Sequence, residues 1–539
     1  MRGHLAGVPF DAAAQHFGAE IALARNDVST ALARIEAALA DPADRHEKLN
    51  TKGQILRRTG DELSAQEAFK AALHSRPDFA ETRFNLARLL LQTGRAKEAA
   101  DHYGRITQQS PDDAESWRGR IAALTESRQF DAVENALAEA RLPDTEKRFA
   151  RASLAVSRGD LDAAEDALPD CIHDEATGFG ALTLALQALH LQGRWDGADA
   201  MIDDILDAHP GRSDLWLAAI SATFKSGDAD RAQALLDKAP KDRSLDLVRA
   251  DILIDRGAYD VALDLTKRLL RAAPGDVSVM QRLCFAALGA GQPELAVHVA
   301  GLALQQTPGD QTFHALKGTA LRATGGDHGA LFDYARFVKA FDLDPPEGWS
   351  DMAAFNADLK TELERLHARS GTPVDQTLRH GTQTAFNLVH ADSPAIQAFF
   401  RAADPAIRTY ITSLRRDERH PFLRHVRGGY FVRGAWSVAL REGGHHVDHI
   451  HPEGWISSAY YVDVPDGSGK DGWIKFGEPA APLNTALGHG PEFDIEPVAG
   501  RLVLFPSYLW HGTYPITGAA TRLTLPVDIL PSRSCPKFD

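Results

Sequence analysis

Residues 443–451 read GGHHVDHIH, which places four histidines and an aspartate within nine positions. An apolar, β-branched run follows at Ile456–Val464. Sixty residues after His451 an isolated histidine, His511, stands in LVLFPSYLWHGTYP, and eleven residues later Arg522 stands in TRLTLPVDI. On an extended chain, residues i and i+2 point to the same side, so two side chains at that spacing can grip one metal ion. Imidazole suits iron, zinc and copper. Two registers overlap here, His446 with Asp448 and His449 with His451. A shift of three residues reverses the face, so both pairs cannot serve one ion in a regular strand.

The text around this stretch is that of short strands: Tyr430–Leu440, Ile456–Val464, Trp473–Phe476, Arg501–Pro506 and Thr521–Leu530. Turn signals separate them, among them Pro465–Asp466–Gly467 and Val498–Ala499–Gly500. Many short strands divided by turns predict an all-β sandwich or barrel over residues 374–539. Upstream, Gly371–Thr372–Pro373 marks a boundary. Residues 331–373 are expected to form a linker, in which Pro345–Pro346 breaks the preceding pattern and MAAFNADLKTELERLHA makes one amphipathic helix.

Residues 1–330 have a different texture. Glycines fall at Gly60, Gly94, Gly159, Gly193, Gly227, Gly257, Gly291 and Gly325, mostly 34 residues apart. Prolines follow seventeen residues after five of them, at Pro77, Pro111, Pro210, Pro274 and Pro308. Two helices of about a dozen residues with two short turns fill such a period. Proline ends the second helix because it cannot continue the hydrogen-bond ladder. Small residues (Gly53, Ala65, Ala72, Ala87, Ala99) alternate with the large Phe69 and Tyr103. Two units depart from the pattern: Arg128 takes the glycine slot and the unit near Pro240 is short, so both are expected to be distorted.

Composition narrows the function. A length of 539 residues predicts more than one domain. The net charge of −15 argues against nucleic-acid binding, which needs a basic face. It fits a basic or neutral peptide partner. Three widely spaced cysteines, Cys171, Cys284 and Cys535, suggest a reducing, cytoplasmic compartment rather than a disulfide framework. No apolar run is long enough to span a membrane.

The 34-residue pattern resembles a tetratricopeptide repeat (TPR) array of about nine units, which implies an α-solenoid with a groove for a protein or peptide. The segments HIHPEGWISSAYYV, GRLVLFPSYLWHGTYP and TRLTLPVDI resemble the 2-oxoglutarate- and Fe(II)-dependent oxygenases, in particular their His-x-His-Pro type, related to aspartyl/asparaginyl and prolyl hydroxylases. That likeness implies a double-stranded β-helix (jelly-roll, cupin-like) domain, an Fe(2+) cofactor, and 2-oxoglutarate and O2 as co-substrates. It implies hydroxylation of a protein or peptide side chain with release of succinate and CO2. Aligning the family's proline on Pro452 favours His449, His451 and His511 as the metal ligands, with no catalytic residue beyond them. It assigns Arg522, Tyr460 and Thr524 to 2-oxoglutarate, the guanidinium fork matching a carboxylate. Ser458 and Lys475 are weaker candidates for lining the site, and Trp455, Trp473 and Trp510 for walling it.

Three other readings compete. A catalytically degenerate TPR scaffold is favoured by the ambiguous carboxylate ligand, while His449, His511 and Arg522 together argue against it. An oxygenase acting on a small molecule would use the repeats for assembly. Gly443, His449, His451 and Glu453 weakly match a cupin motif, but Pro497, Gly500 and His511 are spaced too widely for its second half.

Overall fold

The computed structural model describes residues 11–368, 377–384, 386–465, 469–518 and 520–536. The expected boundary at Gly371–Thr372–Pro373, and Asp466 and Gly467 of the expected turn, lie outside them. The chain divides into two compact units, Met1–Arg141 with Leu302–Asp310, and Leu142–Gly301 with Gln311–Asp539.

In the first unit helices pair in succession: Ala12–Ala24 with Val28–Ala38, Arg45–Arg58 with Glu62–Ser75, and Ala80–Gln92 with Ala96–Gln109. The turn inside each pair needs one residue with φ > 0. Gly60 and Gly94 supply it at φ 74° and 79°, and Asn26 and Arg128 occupy the same slot at 60° and 58°. Arg128 therefore keeps the turn geometry that was expected to distort. The cost of a left-handed non-glycine residue, about 1–2 kcal/mol, is small beside the packing of a helix pair. Asp27 and Asp61 follow this slot and cap the next helix, accepting from the amides of Thr30 and Ser64 at 3.1 and 3.2 Å. A Cβ on Gly53 would lie 2.4 Å from the Phe69 ring, and one on Gly119 would lie 2.5 Å from Tyr103. The small positions thus admit the aromatic of the neighbouring helix.

The second unit continues the helical pattern from Asp144–Arg158 to Gln311–Ala323, with left-handed glycines at Gly159, Gly193, Gly227, Gly257 and Gly291. It then becomes a β structure. Its strands are β1 (Lys339–Asp342), β2 (Leu378–Gln383), β3 (Gly429–Ala435), β4 (Val438–His446), β5 (Ile456–Asp463), β6 (Ile474–Phe476), β7 (Phe493–Ile495), β8 (Arg501–Pro506), β9 (His511–Thr513), β10 (Arg522–Thr524) and β11 (Val527–Ser532). One antiparallel sheet runs β1-β8-β5-β10-β4-β2, with β11 pairing both β5 and β3, and a smaller one runs β7-β6-β9. This is the antiparallel architecture of a jelly-roll domain.

Two expected strands are broken, and at matching places. Trp436–Ser437 separates β3 from β4, and Leu525–Pro526 separates β10 from β11. Proline has no amide to give a ladder, so Pro526 cannot donate a ladder bond where β10 would continue into β11. The Trp436 amide donates to the Pro526 carbonyl at 3.3 Å, and the Ser437 hydroxyl to the Thr524 carbonyl at 3.0 Å. Both strands therefore turn together. Of residues 331–373, expected as a linker, the described part, 331–368, contributes to this structure. β1 pairs with β8 from Lys339↔Leu504 to Asp342↔Arg501. The helix Met352–His367 lies on β5, where Asn356 accepts from Tyr460 and Lys360 donates to Asp463. The last repeat helix also docks on the sheets, Arg322 donating to the Gly477 carbonyl at 2.8 Å and Trp510 to Thr319 at 2.9 Å. Among the described residues no helix is long and apolar enough to cross a membrane.

Candidate active site

β4 ends at His446, and the chain then leaves regular pairing. It is caught again at one point, an isolated antiparallel bridge between His449 and His511. Each amide donates to the other's carbonyl at 2.9 Å, so the two side chains stand opposite each other. Two residues on, the His451 amide donates to the Ser507 carbonyl at 3.0 Å. These three backbone anchors bring His449, His451 and His511 together, with ligand nitrogens within 4.8 Å of one another.

Each ring is oriented by its other nitrogen. His449 Nδ1 donates to the Val447 carbonyl at 2.8 Å and His511 Nδ1 to the Leu509 carbonyl at 2.9 Å. His451 Nδ1 faces both carboxylate oxygens of Asp528, at 2.7 and 2.8 Å. All these partners are acceptors, so the proton sits on Nδ1 and the lone pair on Nε2. The Nε2 atoms of His449 and His451 lie 3.1 Å apart. Two lone pairs facing at that distance repel unless a cation stands between them. A metal–nitrogen bond of about 2.1 Å sets adjacent ligands about 3 Å apart, so the donor set fits a metal ion. Burial, reinforced by the neighbouring imidazoles, pushes His449 down to about 3 and His511 well below the ordinary histidine range. Protons therefore do not compete for these nitrogens at neutral pH.

The competing register is divided by the structure. His446 borders the same cavity, its Nδ1 3.1 Å from the Thr377 hydroxyl. Asp448 turns away and pairs with Lys475 at 2.8 Å, and Lys475 also binds Glu478. Burial raises the Asp448 carboxyl to about 6 despite the Lys475 hydrogen bond.

The histidines line a cavity of about 550 Å³ that also includes Arg522, Thr524 and Trp436. Arg522 is 3% exposed, and its Nε and Nη1 have no hydrogen-bond partner among the described residues. Its guanidinium lies 4.9 Å from the centre of the Tyr461 ring, whose hydroxyl is likewise without a partner. An uncompensated buried cation costs several kcal/mol, and an anion entering the cavity removes that cost.

Tyr460 does not join this cavity. Side chains alternate along β5, and Tyr460 faces the helix layer, donating to Asn356 at 2.7 Å and packing 4.9 Å from Phe399. The adjacent Tyr461 is the aromatic that meets Arg522. Ser458 borders the cavity, though its hydroxyl is bound to the Val527 backbone. Lys475 is engaged with Asp448 and Glu478, Trp455 with the Phe422 carbonyl and Trp510 with Thr319. Trp473 is not among the lining residues, and the tryptophan that does line the cavity is Trp436, stacked on His451 at 5.6 Å.

Residues 434–528 match the family model described as "Putative 2OG-Fe(II) oxygenase", a span that contains all three histidines and Arg522. Residues 56–121 and 189–250 match that of the tetratricopeptide repeat. The chain joins tetratricopeptide repeats to a 2-oxoglutarate/Fe(II) oxygenase domain. No curated protein matches its sequence. Among solved structures, a tetratricopeptide repeat protein from Parabacteroides merdae is 18% identical, covering 42% of this chain and 91% of its own, with a TM-score of 0.35. A prolyl-4-hydroxylase from Pseudomonas putida is 19% identical, covering 37% of this chain and 96% of its own, with a TM-score of 0.27.

Asp528 and Tyr461 of the oxygenase domain were not anticipated. Asp528 had a signal, being the one charged side chain in the run Leu523–Pro531. Tyr461 differs from the expected residue by one position, which only the pleat of β5 decides.

Proposed function

We propose that the chain is a 2-oxoglutarate- and Fe(II)-dependent dioxygenase whose iron is held by His449, His451 and His511. Arg522, with Thr524 beside it, receives the distal carboxylate of 2-oxoglutarate. The observation that carries this reading is Arg522 itself, a buried guanidinium whose Nε and Nη1 have no hydrogen-bond partner among the described residues, in the same cavity as three convergent imidazoles. A scaffold without catalysis has no use for a buried guanidinium with two nitrogens left open.

Bound iron supplies the activation of O2 that couples decarboxylation of 2-oxoglutarate to oxidation of a C–H bond, giving R–OH, succinate and CO2. The protein's part is positioning and electrostatics. The three Nδ1 hydrogen bonds hold the rings with Nε2 inward. Arg522, its guanidinium over the Tyr461 ring, orients the dianion, and Phe505, 4.6 Å from the His511 ring, helps to exclude water.

The substrate we infer is a protein or peptide side chain presented by the repeats. Support comes from the repeats themselves and from a polar hollow of about 520 Å³ in the first unit, where Glu20, Glu47 and Glu81 outnumber Arg58 and His16. With the net charge of −15 it suits a basic segment. The cysteines are free, in keeping with a reducing, cytoplasmic setting.

Calorimetric titration of the Fe(II)-loaded chain with 2-oxoglutarate under anaerobic conditions tests the reading. One-to-one binding is expected, and Arg522→Ala should remove it without loss of iron. Undiminished binding to that variant would overturn the co-substrate assignment.

A further inference from the structure

The three-histidine centre lacks the carboxylate that would offset the charge of a divalent ion. The structure supplies one at a second remove. Asp528 stands on β11, where it pairs with Gly434 of β3 and Ser457 of β5. It is 6% exposed, and both its oxygens face His451 Nδ1. The Ser457 hydroxyl donates to Asp528 Oδ1 at 2.7 Å and lies 2.8 Å from the Ser507 hydroxyl. Ser507 in turn accepts the His451 amide through its carbonyl. A Cβ at residue 454 would fall 2.4 Å from Ser507 Oγ, so Gly454 leaves room for this chain of hydroxyls. His451 is thus gripped from both ends, by backbone through Ser507 and by its ring through Asp528.

We infer that Asp528 is a positioning residue of the centre: through the Nδ1–H of His451 it fixes that ring with Nε2 inward and lends the three-histidine site the negative charge its ligands lack. The other two rings donate to neutral backbone carbonyls, so His451 alone receives this polarisation. Its imidazole gains anionic character and becomes the strongest donor of the three. Carboxylate–histidine–metal arrangements of this kind fix the tautomer and raise ligand basicity, and removing the carboxylate typically lowers metal affinity about 10- to 100-fold.

This inference rests on the proposed metal site, and one experiment separates their failures. Co(II) is titrated anaerobically into the full chain, followed by its visible absorption, for the wild type, Asp528→Asn and His449→Ala. The thermal midpoint of each metal-free protein is measured alongside. Asp528→Asn keeps the shape and an acceptor oxygen but removes the charge. The expected result is a wild-type-like midpoint without metal, Co(II) affinity lower by about 10- to 100-fold, and an altered absorption band at saturation. Wild-type affinity in Asp528→Asn would overturn the inference and leave the metal site standing. Lower affinity with an unchanged band and an equally lowered metal-free midpoint would also overturn it, since that marks structural support only. A wild-type chain that binds no Co(II), or binds it as well after His449→Ala, would overturn the metal site and the inference together. If Asp528→Asn does not fold, Ser457→Ala removes the hydroxyl that pins Asp528. Several-fold weaker Co(II) binding is then expected, and unchanged binding would refute the role.

Discussion

His449 and His511 face each other across a single antiparallel bridge, each amide donating to the other's carbonyl at 2.9 Å, although 62 residues separate them in the chain. That bridge is what supports the proposed register of the metal arm. It turns His449 and, two residues on, His451 toward His511, while Asp448 between them is turned toward Lys475.

The two registers are separable by mutation. His449→Ala should lose at least ten-fold in Fe(II) affinity, and His446→Ala should bind iron within a few-fold of wild type, both read by anaerobic metal titration. Equal losses would mean that His446 is a ligand.

Arg522 offers a finer test than its removal. Arg522→Lys keeps a positive charge but loses the planar fork, so 2-oxoglutarate should bind more than ten-fold more weakly than to the wild type, yet measurably better than to Arg522→Ala. Calorimetry on the iron-loaded variants orders the three. Equal affinity for Lys and Arg would show that charge alone is recognised.

The repeats make opposite predictions at two helical glycines. Gly53→Ala drives a methyl into the Phe69 ring and should destabilise by about 1–3 kcal/mol. Gly301, in the helix Pro293–Gln306, has open space where a Cβ would stand. Gly301→Ala should therefore stabilise by about 0.5–1 kcal/mol. Urea unfolding of each variant gives the sign.

His367 predicts an acid sensitivity outside the proposed metal ligands. It ties the helix Met352–His367 to β2 and to the bend between β3 and β4, contacting Thr382 at 2.9 Å and Ser437 at 3.0 Å. Burial, with a contribution from Arg441, lowers it to about 4 from 6.5. The folded state therefore favours the neutral ring. Its contribution is present above pH 6.5 and is lost as pH falls from there to 4. Allowing for partial exposure, about 2 kcal/mol is at stake. Stability curves of wild type and His367→Gln should converge over that window, and parallel curves would refute the assignment.

The sequence disclosed the repeats because their turn needs a special backbone conformation at a fixed interval, and glycine usually meets that need. Asn26 and Arg128 show that the slot, not the residue, is conserved along the array. Strand limits were less legible. Trp436 and Pro526 each sit within an apolar run, and the bend they share follows from pairing between distant strands. The same holds for Tyr460 and Tyr461, whose facing depends on the pleat of β5 against its neighbours. Asp528 stood out as a charge in an apolar strand, but its partner His451 lies 77 residues away. Long-range pairing of that kind is written in the fold, not in local spacing.

The most direct test of the central claim is succinate formation. The full chain is reconstituted with Fe(II), supplied with 2-oxoglutarate and O2, and assayed for succinate beside His449→Ala and an iron-free control. Uncoupled turnover needs no protein substrate, so the assay does not wait on a partner. The account predicts succinate that requires iron and disappears in His449→Ala. Succinate formed equally by the variant, or no succinate from an iron-loaded chain that also fails to bind 2-oxoglutarate, would contradict it.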